Sequence, residues 1–283
     1  MSSIGVFDSG FGGLMILKHL VSAMPEYNFI YLGDSARVPY GPRSSAEVYS
    51  FTEQAMEFLI EVKNCDLVII ACNTASSEAL RKIQQEYLPK IDPLKRVLGV
   101  VIPACEEAIK LTQNNKIGVM ATVGTVKSGS FEVELKKLNS DVIVVQHACP
   151  HLVPIIESGK HESEATKHIL EDYLAPIIQA GVDTLILGCT HYEILKNTIE
   201  ELVGDEVQVV SEGDIIAAKL ADYLMRHTEL KQKLTMNASR KFYSTDLNKG
   251  FEEFGSRFYG EPINAELAII DANLPLTKRL YTP

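Results

Sequence analysis

Nine short apolar runs alternate with amphipathic stretches of helical length along this chain, and that alternation limits the fold more than any other feature. The runs Ile4–Phe7, Phe29–Leu32, Leu67–Ala71, Val97–Ile102, Ile117–Met120, Val142–Gln146, Thr184–Leu187, Val207–Val210 and Lys241–Ser244 read as buried strands. Gly13–Ala23, Ser44–Lys63, Thr74–Leu88, Glu106–Thr112, Ser128–Leu138, Glu162–Ala180, Tyr192–Leu202, Asp214–Arg226 and Lys249–Tyr259 read as helices. Leu14, Leu17, Val21 and Met24 carry the helical period, as do Phe251, Phe254 and Phe258. Strands that alternate with helices predict mainly parallel sheets covered by helices, an α/β fold.

The order of features repeats. Ile4-Gly5-Val6-Phe7-Asp8-Ser9 resembles Ile117-Gly118-Val119-Met120-Ala121-Thr122, 113 residues further on. Leu67–Ala71 runs into Cys72-Asn73-Thr74, and Leu185-Ile186-Leu187-Gly188 runs into Cys189-Thr190-His191, an offset of 117. One such match is common strand text. Two in the same order point to two α/β halves related by a pseudo-twofold axis. The expected division is residues 1–98 plus 212–283 against residues 99–211, which leaves only two crossings to act as hinges.

Charge and cysteine usage narrow the function. The 37 acidic residues outnumber the 27 basic ones, and the net charge of −10 argues against a nucleic-acid surface. No run reaches the roughly 18 apolar residues of a membrane span. Met1-Ser2-Ser3 leads straight into an apolar strand, with no basic segment or cleavage site of a signal peptide. The five cysteines (Cys65, Cys72, Cys105, Cys149 and Cys189) are odd in number, far apart and without a CxxC pair. Neither a disulfide framework nor a cysteine-rich zinc site is expected, and the chain reads as a reduced, cytoplasmic protein.

Asp8-Ser9-Gly10-Phe11-Gly12-Gly13 follows a strand and opens a helix, where backbone N–H groups can cradle an anion. The dinucleotide fingerprint needs glycine at position 15, which is Met15, and no Walker A lysine occurs, so no nucleotide cofactor is expected. Asp8 or Ser9 is expected to cap the helix. A carboxylate at the carboxyl end of a strand, where α/β proteins bind ligands, is still a catalytic candidate. Gly33-Asp34-Ser35-Ala36-Arg37-Val38-Pro39-Tyr40-Gly41-Pro42-Arg43-Ser44 is a stiff polar loop, either a surface connection or a rim that recognises a small acid through backbone groups.

Cys72 and Cys189 are the informative pair. Each thiol lies at the carboxyl end of an apolar strand and at the start of a helix, whose dipole favours the thiolate. A single cysteine so placed is ordinarily a small buried hydrophobe. Two in equivalent places of a repeated unit reverse that expectation, because the pseudo-twofold brings them to opposite sides of one cleft. His147-Ala148-Cys149-Pro150-His151 has zinc-ligand residue types, but Pro150 breaks the strand and no fourth ligand is near, so no metal is expected. Glu157 reads on its own as an ordinary helix-end residue.

VFDSGFGGL, GDSARVPYGPRS, ACNTAS, ACPHLVPIIESG and GCTHY, in this order and spacing, resemble the glutamate racemases of the aspartate/glutamate racemase superfamily. The likeness runs from about Ile4 to Gly260, and the tail Glu261–Pro283 lies mostly outside it. It implies two α/β domains facing each other across an active-site cleft. It also implies cofactor-independent interconversion of L- and D-glutamate, the D form entering peptidoglycan. Cys72 and Cys189 then resemble the two catalytic thiols, Asp8 the carboxylate beside the first, and His191 and Glu157 the groups supporting the second. Ser9, Pro39, Tyr40, Gly41, Asn73, Thr74, Thr122, Thr125 and Thr190 resemble substrate-holding positions. Members of the family are often dimeric, which allows a homodimer here. Two positions depart from the family pattern: Glu193 stands where proline is frequent, and Glu212 where serine is frequent.

The residues suit that chemistry. Racemisation removes a proton from one face of a carbon and returns one to the other, so it needs an acid and a base on opposite faces. A thiol shifted by a unit or two from about 8.5 can serve as either near neutral pH. A sister racemase acting on aspartate or another amino acid is the alternative. A binding protein that kept the fold would more naturally have lost a cysteine, and a thiol-redox protein would need CxxC.

Overall fold

A computed structural model describes residues 2–247 and 250–270. Its strands, in chain order, are β1 (Ile4–Asp8), β2 (Phe29–Gly33), β3 (Leu67–Ile70), β4 (Arg96–Gly99), β5 (Lys116–Ala121), β6 (Ile143–Ala148), β7 (Thr184–Gly188), β8 (Gln208–Val210), β9 (Arg240–Ser244) and β10 (Ala265–Leu267). They form two sheets, ordered β10-β9-β2-β1-β3-β4 and β6-β5-β7-β8, in which every pairing is parallel. The expected α/β class is therefore observed.

The internal repeat has a structural counterpart. The order β2-β1-β3-β4 recurs as β6-β5-β7-β8, each strand of the second sheet matching the one four places earlier. The register agrees as well: Ile4 lies beside Leu67 in the first sheet, and Ile117 beside Thr184 in the second. The central strands β1, β3 and β7 are buried along their whole length, which is why they read as unbroken apolar runs. Edge strand β6 is half open, with Ile143 exposed.

Apolar side chains of both sheets meet in one core that includes Ile4, Leu14, Leu187, Tyr192, Ile216 and Phe258. Helix Gly13–Ala23 packs against helix Glu212–Arg226 within it. The outer faces have cores of their own, around Leu32, Val48 and Ile70 on the first sheet and Ala104, Phe131 and Ile186 on the second. Among the described residues no helix is long and apolar enough to cross a membrane.

The sequence reading erred where apolar runs change conformation without a break in polarity. The run Val97–Ile102 was expected as one strand. It leaves the sheet at Gly99, whose added Cβ would lie 2.2 Å from Ser76 Oγ, and enters helix Val101–Leu111. Pro103 fits the first turn of that helix because no backbone donor is needed there. Helices Val123–Ser128 and Leu152–Glu157 and strand β10 are too short to show a period. Of the helix read from Lys249, Phe251–Tyr259 is observed; Lys249 and residues 271–283 of the tail lie outside the described residues.

Candidate active site

The carboxyl ends of both sheets open onto one cavity of about 230 Å³. From the first sheet come Ser9 after β1, Pro39, Tyr40 and Gly41 on the loop after β2, and Cys72, Asn73 and Thr74 after β3. From the second come Thr122 after β5, Cys149 and Pro150 after β6, and Cys189, Thr190 and His191 after β7. The two thiols thus stand at the ends of equivalent strands and line the same cavity.

Cys72 is the N-cap of helix Asn73–Glu78, and its Sγ donates to Ser9 Oγ at 3.3 Å. Cys189 is the N-cap of the 3-10 turn Thr190–Leu195, with Sγ 4.0 Å from His191 Nδ1. The expectation that the helix ends would lower both thiol pKa values is not met. Burial pushes Cys72 up to about 12, and the charge of Asp8 adds to it; hydrogen bonds from Ser9 and the Ala75 amide pull back only part of the way. Cys189 is likewise held well above the usual thiol range by burial, against the pull of the His191 backbone amide, while charge on Cys72, Asp8 and Glu212 pushes the same way as burial. In an enclosed apolar cavity the loss of hydration outweighs the partial charge of a helix end.

Asp8 lies behind the cavity wall. Its carboxylate accepts from the Gly10 amide at 2.8 Å and from Thr190 Oγ1 at 3.3 Å, which ties the two halves together. Burial raises its pKa, and the neighbouring His191 and these hydrogen bonds oppose that. The N-cap position of helix Gly13–Ala23 is Gly12, not the expected Asp8 or Ser9, although the Asp8 carboxylate still receives a hydrogen bond from the Gly13 amide at the start of the helix. The glycines serve close approach instead: a Cβ on Gly12 would sit 2.3 Å from Thr190 Oγ1 and 2.6 Å from His191 Nδ1.

His191 is 3% exposed, its ring edge-on to Phe258, and its Nε2 lies 3.1 Å from Glu157 Oε1. Glu157, a plain helix-end residue on sequence grounds, therefore reaches the Cys189 side through His191. Thr74 and Thr122 meet across the cleft at 2.9 Å. Thr125 stands behind them, 3.0 Å from Thr122 and outside the cavity lining. Gly41 accepts from the Gly124 amide at 2.8 Å, and a side chain on it would press into Thr122. Tyr40 is buried, and its hydroxyl points away from the cavity toward Asp34 at 2.5 Å.

Several contributors were missed by sequence reasoning. Asp34 also accepts from Arg37 Nε at 2.7 Å and Thr245 Oγ1 at 2.8 Å, and so pins the loop that carries Pro39, Tyr40 and Gly41. Val38, Pro42, Val123, Cys149, Pro150, Val153 and Pro154 form the apolar walls. All but Val123 lay within the quoted motifs, but apolar residues there carried no chemical signal. The Cys149 thiol faces the His147 carbonyl at 3.7 Å, and His151 Nδ1 is bonded to Tyr173 Oη at 2.6 Å. Among the described residues no group of three His, Cys, Asp or Glu side chains is arranged to hold a metal ion.

The chain is similar to known proteins over most of its length. The Asp/Glu/Hydantoin racemase family model matches residues 15–220. The glutamate racemase of Bacillus cereus is 40% identical over 92% of this chain and 94% of its own length. That of Oceanobacillus iheyensis is 38% identical over 98% of both. Among solved structures, a Bacillus anthracis glutamate racemase superposes with a TM-score of 0.86 at 34% identity, covering 95% of this chain and 97% of its own. A Francisella tularensis glutamate racemase in complex with D-glutamate does so with a TM-score of 0.86 at 32% identity, covering 96% and 98%.

Proposed function

The chain belongs to the Asp/Glu/hydantoin racemase family, and we propose that it interconverts L- and D-glutamate with Cys72 and Cys189 as the two acid–base groups. The observation that carries this reading is the pair of thiols at the ends of the equivalent strands β3 and β7, lining one cavity from its two halves.

In the L-to-D direction the Cys189 thiolate takes the α-proton and becomes a thiol. The Cys72 thiol delivers its own proton to the opposite face of the α-carbon and becomes the thiolate. The reverse direction exchanges the roles, so each turnover leaves the pair in the state that the other direction needs. Both thiols are held neutral by burial in the free protein. A substrate ammonium near Asp8 offsets the carboxylate charge that disfavours the thiolates, so binding drives the loss of one thiol proton to solvent and leaves one thiolate and one thiol for the cycle. His191, held by Glu157, orients the Cys189 side. Hydrogen-bond donors on Asn73, Thr74, Thr122 and the backbone amides of Tyr40 and Gly41 hold the two carboxylates and stabilise negative charge as the carbanion develops. No cofactor takes part in this scheme.

The two sheets, with their helices, would act as domains of residues 1–98 plus 212–283 and 99–211, closing over the substrate about the two crossings. The same reading places the enzyme in the cytoplasm, supplying D-glutamate for peptidoglycan, and includes a homodimer, which sedimentation velocity measures. The deciding experiment is circular dichroism of L-glutamate incubated with purified protein, beside an identical incubation with L-aspartate. Decay of the glutamate signal to zero is expected; decay of aspartate alone would replace this reading with a sister racemase.

A further inference from the structure

Glu212 opens helix Glu212–Arg226 and is 4% exposed. Its Oε2 lies 2.9 Å from Asn73 Nδ2, and Asn73 in turn borders the cavity. In that arrangement Glu212 Oε1 and Asn73 Oδ1 are both buried and both without a hydrogen-bond partner among the described residues. A buried oxygen left without a donor is costly. Turning the Asn73 carboxamide end for end, within the same space, gives Oδ1 a donor if the Glu212 carboxyl carries a proton, and leaves Nδ2 in its place needing an acceptor that a bound carboxylate would supply.

We infer that Glu212 sets the orientation of Asn73: its carboxyl group gives an O–H to Asn73 Oδ1 and turns Nδ2 toward the cavity as a donor for a substrate carboxylate. The inference rests on the amino-dicarboxylate substrate proposed above. Charged groups around Glu212 favour the protonated form. Burial pushes Glu212 well above the usual carboxylate range; a hydrogen bond from Asn73 opposes that, and the negative charges of Glu193 and Asp8 add to it. The thiols of Cys189 and Cys105 both feel its charge. His19 lies against Gly213, but its ring is taken up by Glu193 at 2.8 Å and Asp214 at 2.7 Å. Ionised, Glu212 would instead hold Nδ2, present Oδ1 to the cavity and add a negative charge beside it. Substrate binding therefore weakens as rising pH ionises Glu212.

The test is KM and kcat for the wild type, Glu212→Gln and Glu212→Leu from neutral to alkaline pH, with infrared difference spectra of wild type minus Glu212→Gln. A glutamine amide donates as the acid does and cannot ionise. Glu212→Gln is expected to keep a neutral-pH KM near that of the wild type and to lose the alkaline rise in KM. Glu212→Leu is expected to raise KM roughly tenfold to a hundredfold, the loss of one hydrogen bond to a charged group, with kcat less affected. The infrared spectrum is expected to show a protonated-carboxyl C=O band in the wild type at neutral pH. A wild-type KM in Glu212→Leu, an equal defect in Glu212→Gln, or absence of that band would overturn the inference. Failure of the wild type to racemise glutamate would instead sink the functional reading, and the infrared band would still decide the state of Glu212.

Discussion

Glu157 holds His191 from the side away from the thiol: its Oε1 is 3.1 Å from Nε2, while Nδ1 lies 4.0 Å from Cys189 Sγ. The contact joins helix Leu152–Glu157 to the turn after β7 and fixes the direction of the ring. Glu157→Gln weakens that support for one thiol only. Racemisation of a free amino acid has an equilibrium constant of one, so kcat/KM must fall equally in both directions. The asymmetry appears elsewhere. With α-deuterated substrates, the primary isotope effect is expected to grow for L-glutamate, whose proton goes to Cys189, more than for D-glutamate. A fall in rate of about tenfold to a hundredfold fits the loss of a hydrogen bond to a charged group. Equal changes in the two isotope effects would mean that Glu157 acts on the fold and not on the Cys189 side.

The loop after β2 depends on Asp34, which is fully buried and bonded to Tyr40, Arg37 and Thr245. Asp34→Asn keeps the shape but removes the charge that pairs with Arg37 and replaces one acceptor oxygen with a donor. Breaking a buried pair typically costs about 3–5 kcal/mol when one partner loses its charge. The expected result is a lower melting temperature together with a raised KM for glutamate, because Pro39, Tyr40 and Gly41 line the cavity. An unchanged KM in the folded variant would show that the loop's position does not matter for binding.

Asp183 offers a test of the second half alone. Its carboxylate accepts from Thr112 Oγ1 at 2.6 Å and from the Gln113 and Asn114 amides at 2.7 Å each. These bonds, together with Thr184, hold its pKa below the ordinary 3.8, although burial works against them. A depressed carboxylate stabilises the folded state above its unfolded pKa, and that contribution is lost as pH falls through the folded value. Asp183→Asn is therefore expected to lower stability by about 1–2 kcal/mol at neutral pH, with the difference from wild type shrinking once pH drops below the ordinary aspartate range. Denaturant titrations at several pH values measure it; a difference that persists in acid would assign the loss to packing.

These residues also show what could be read in advance. The strand–thiol–helix units around Cys72 and Cys189 were legible because the chemistry and the repeat both lie within a few consecutive residues. The recurrence of one strand order in the two sheets follows from the same repeat, although the order β2-β1-β3-β4 itself was not read from the sequence. Asp34 was not legible, because the loop motif shows Arg37 and Tyr40 near it without showing that their side chains turn back onto it, and Thr245 reaches it from just beyond β9 at the far end of the chain. The thiol pKa values were misread for a related reason: a helix end is visible in sequence, whereas enclosure by the opposite half is not. Burial then decided the sign.

The two-thiol scheme makes its sharpest prediction in heavy water. If Cys72 and Cys189 stand on opposite faces of the α-carbon, the proton removed and the proton delivered sit on different sulfurs. D-glutamate formed from L-glutamate should then carry deuterium at the α-carbon from the first turnovers, while recovered L-glutamate stays largely protonated early on. Product that keeps its original hydrogen would mean one base shuttling a single proton, and the assignment would fail. The same logic governs substitution. Cys72→Ser and Cys189→Ser keep the shape but replace each thiol with a group that hardly ionises near neutral pH. Both directions need both groups, so each variant should lose at least the 10²–10⁴ that a general acid–base step is worth. Cys65→Ser and Cys105→Ser are the controls. Both thiols are buried in the outer cores, away from the cavity. Serine there exchanges a small hydrophobe for a hydroxyl at a cost of about 1–3 kcal/mol, which lowers the melting temperature and leaves the rate of the folded enzyme intact. A Cys189→Ser enzyme with a near-normal racemase rate would remove the second thiol from the mechanism.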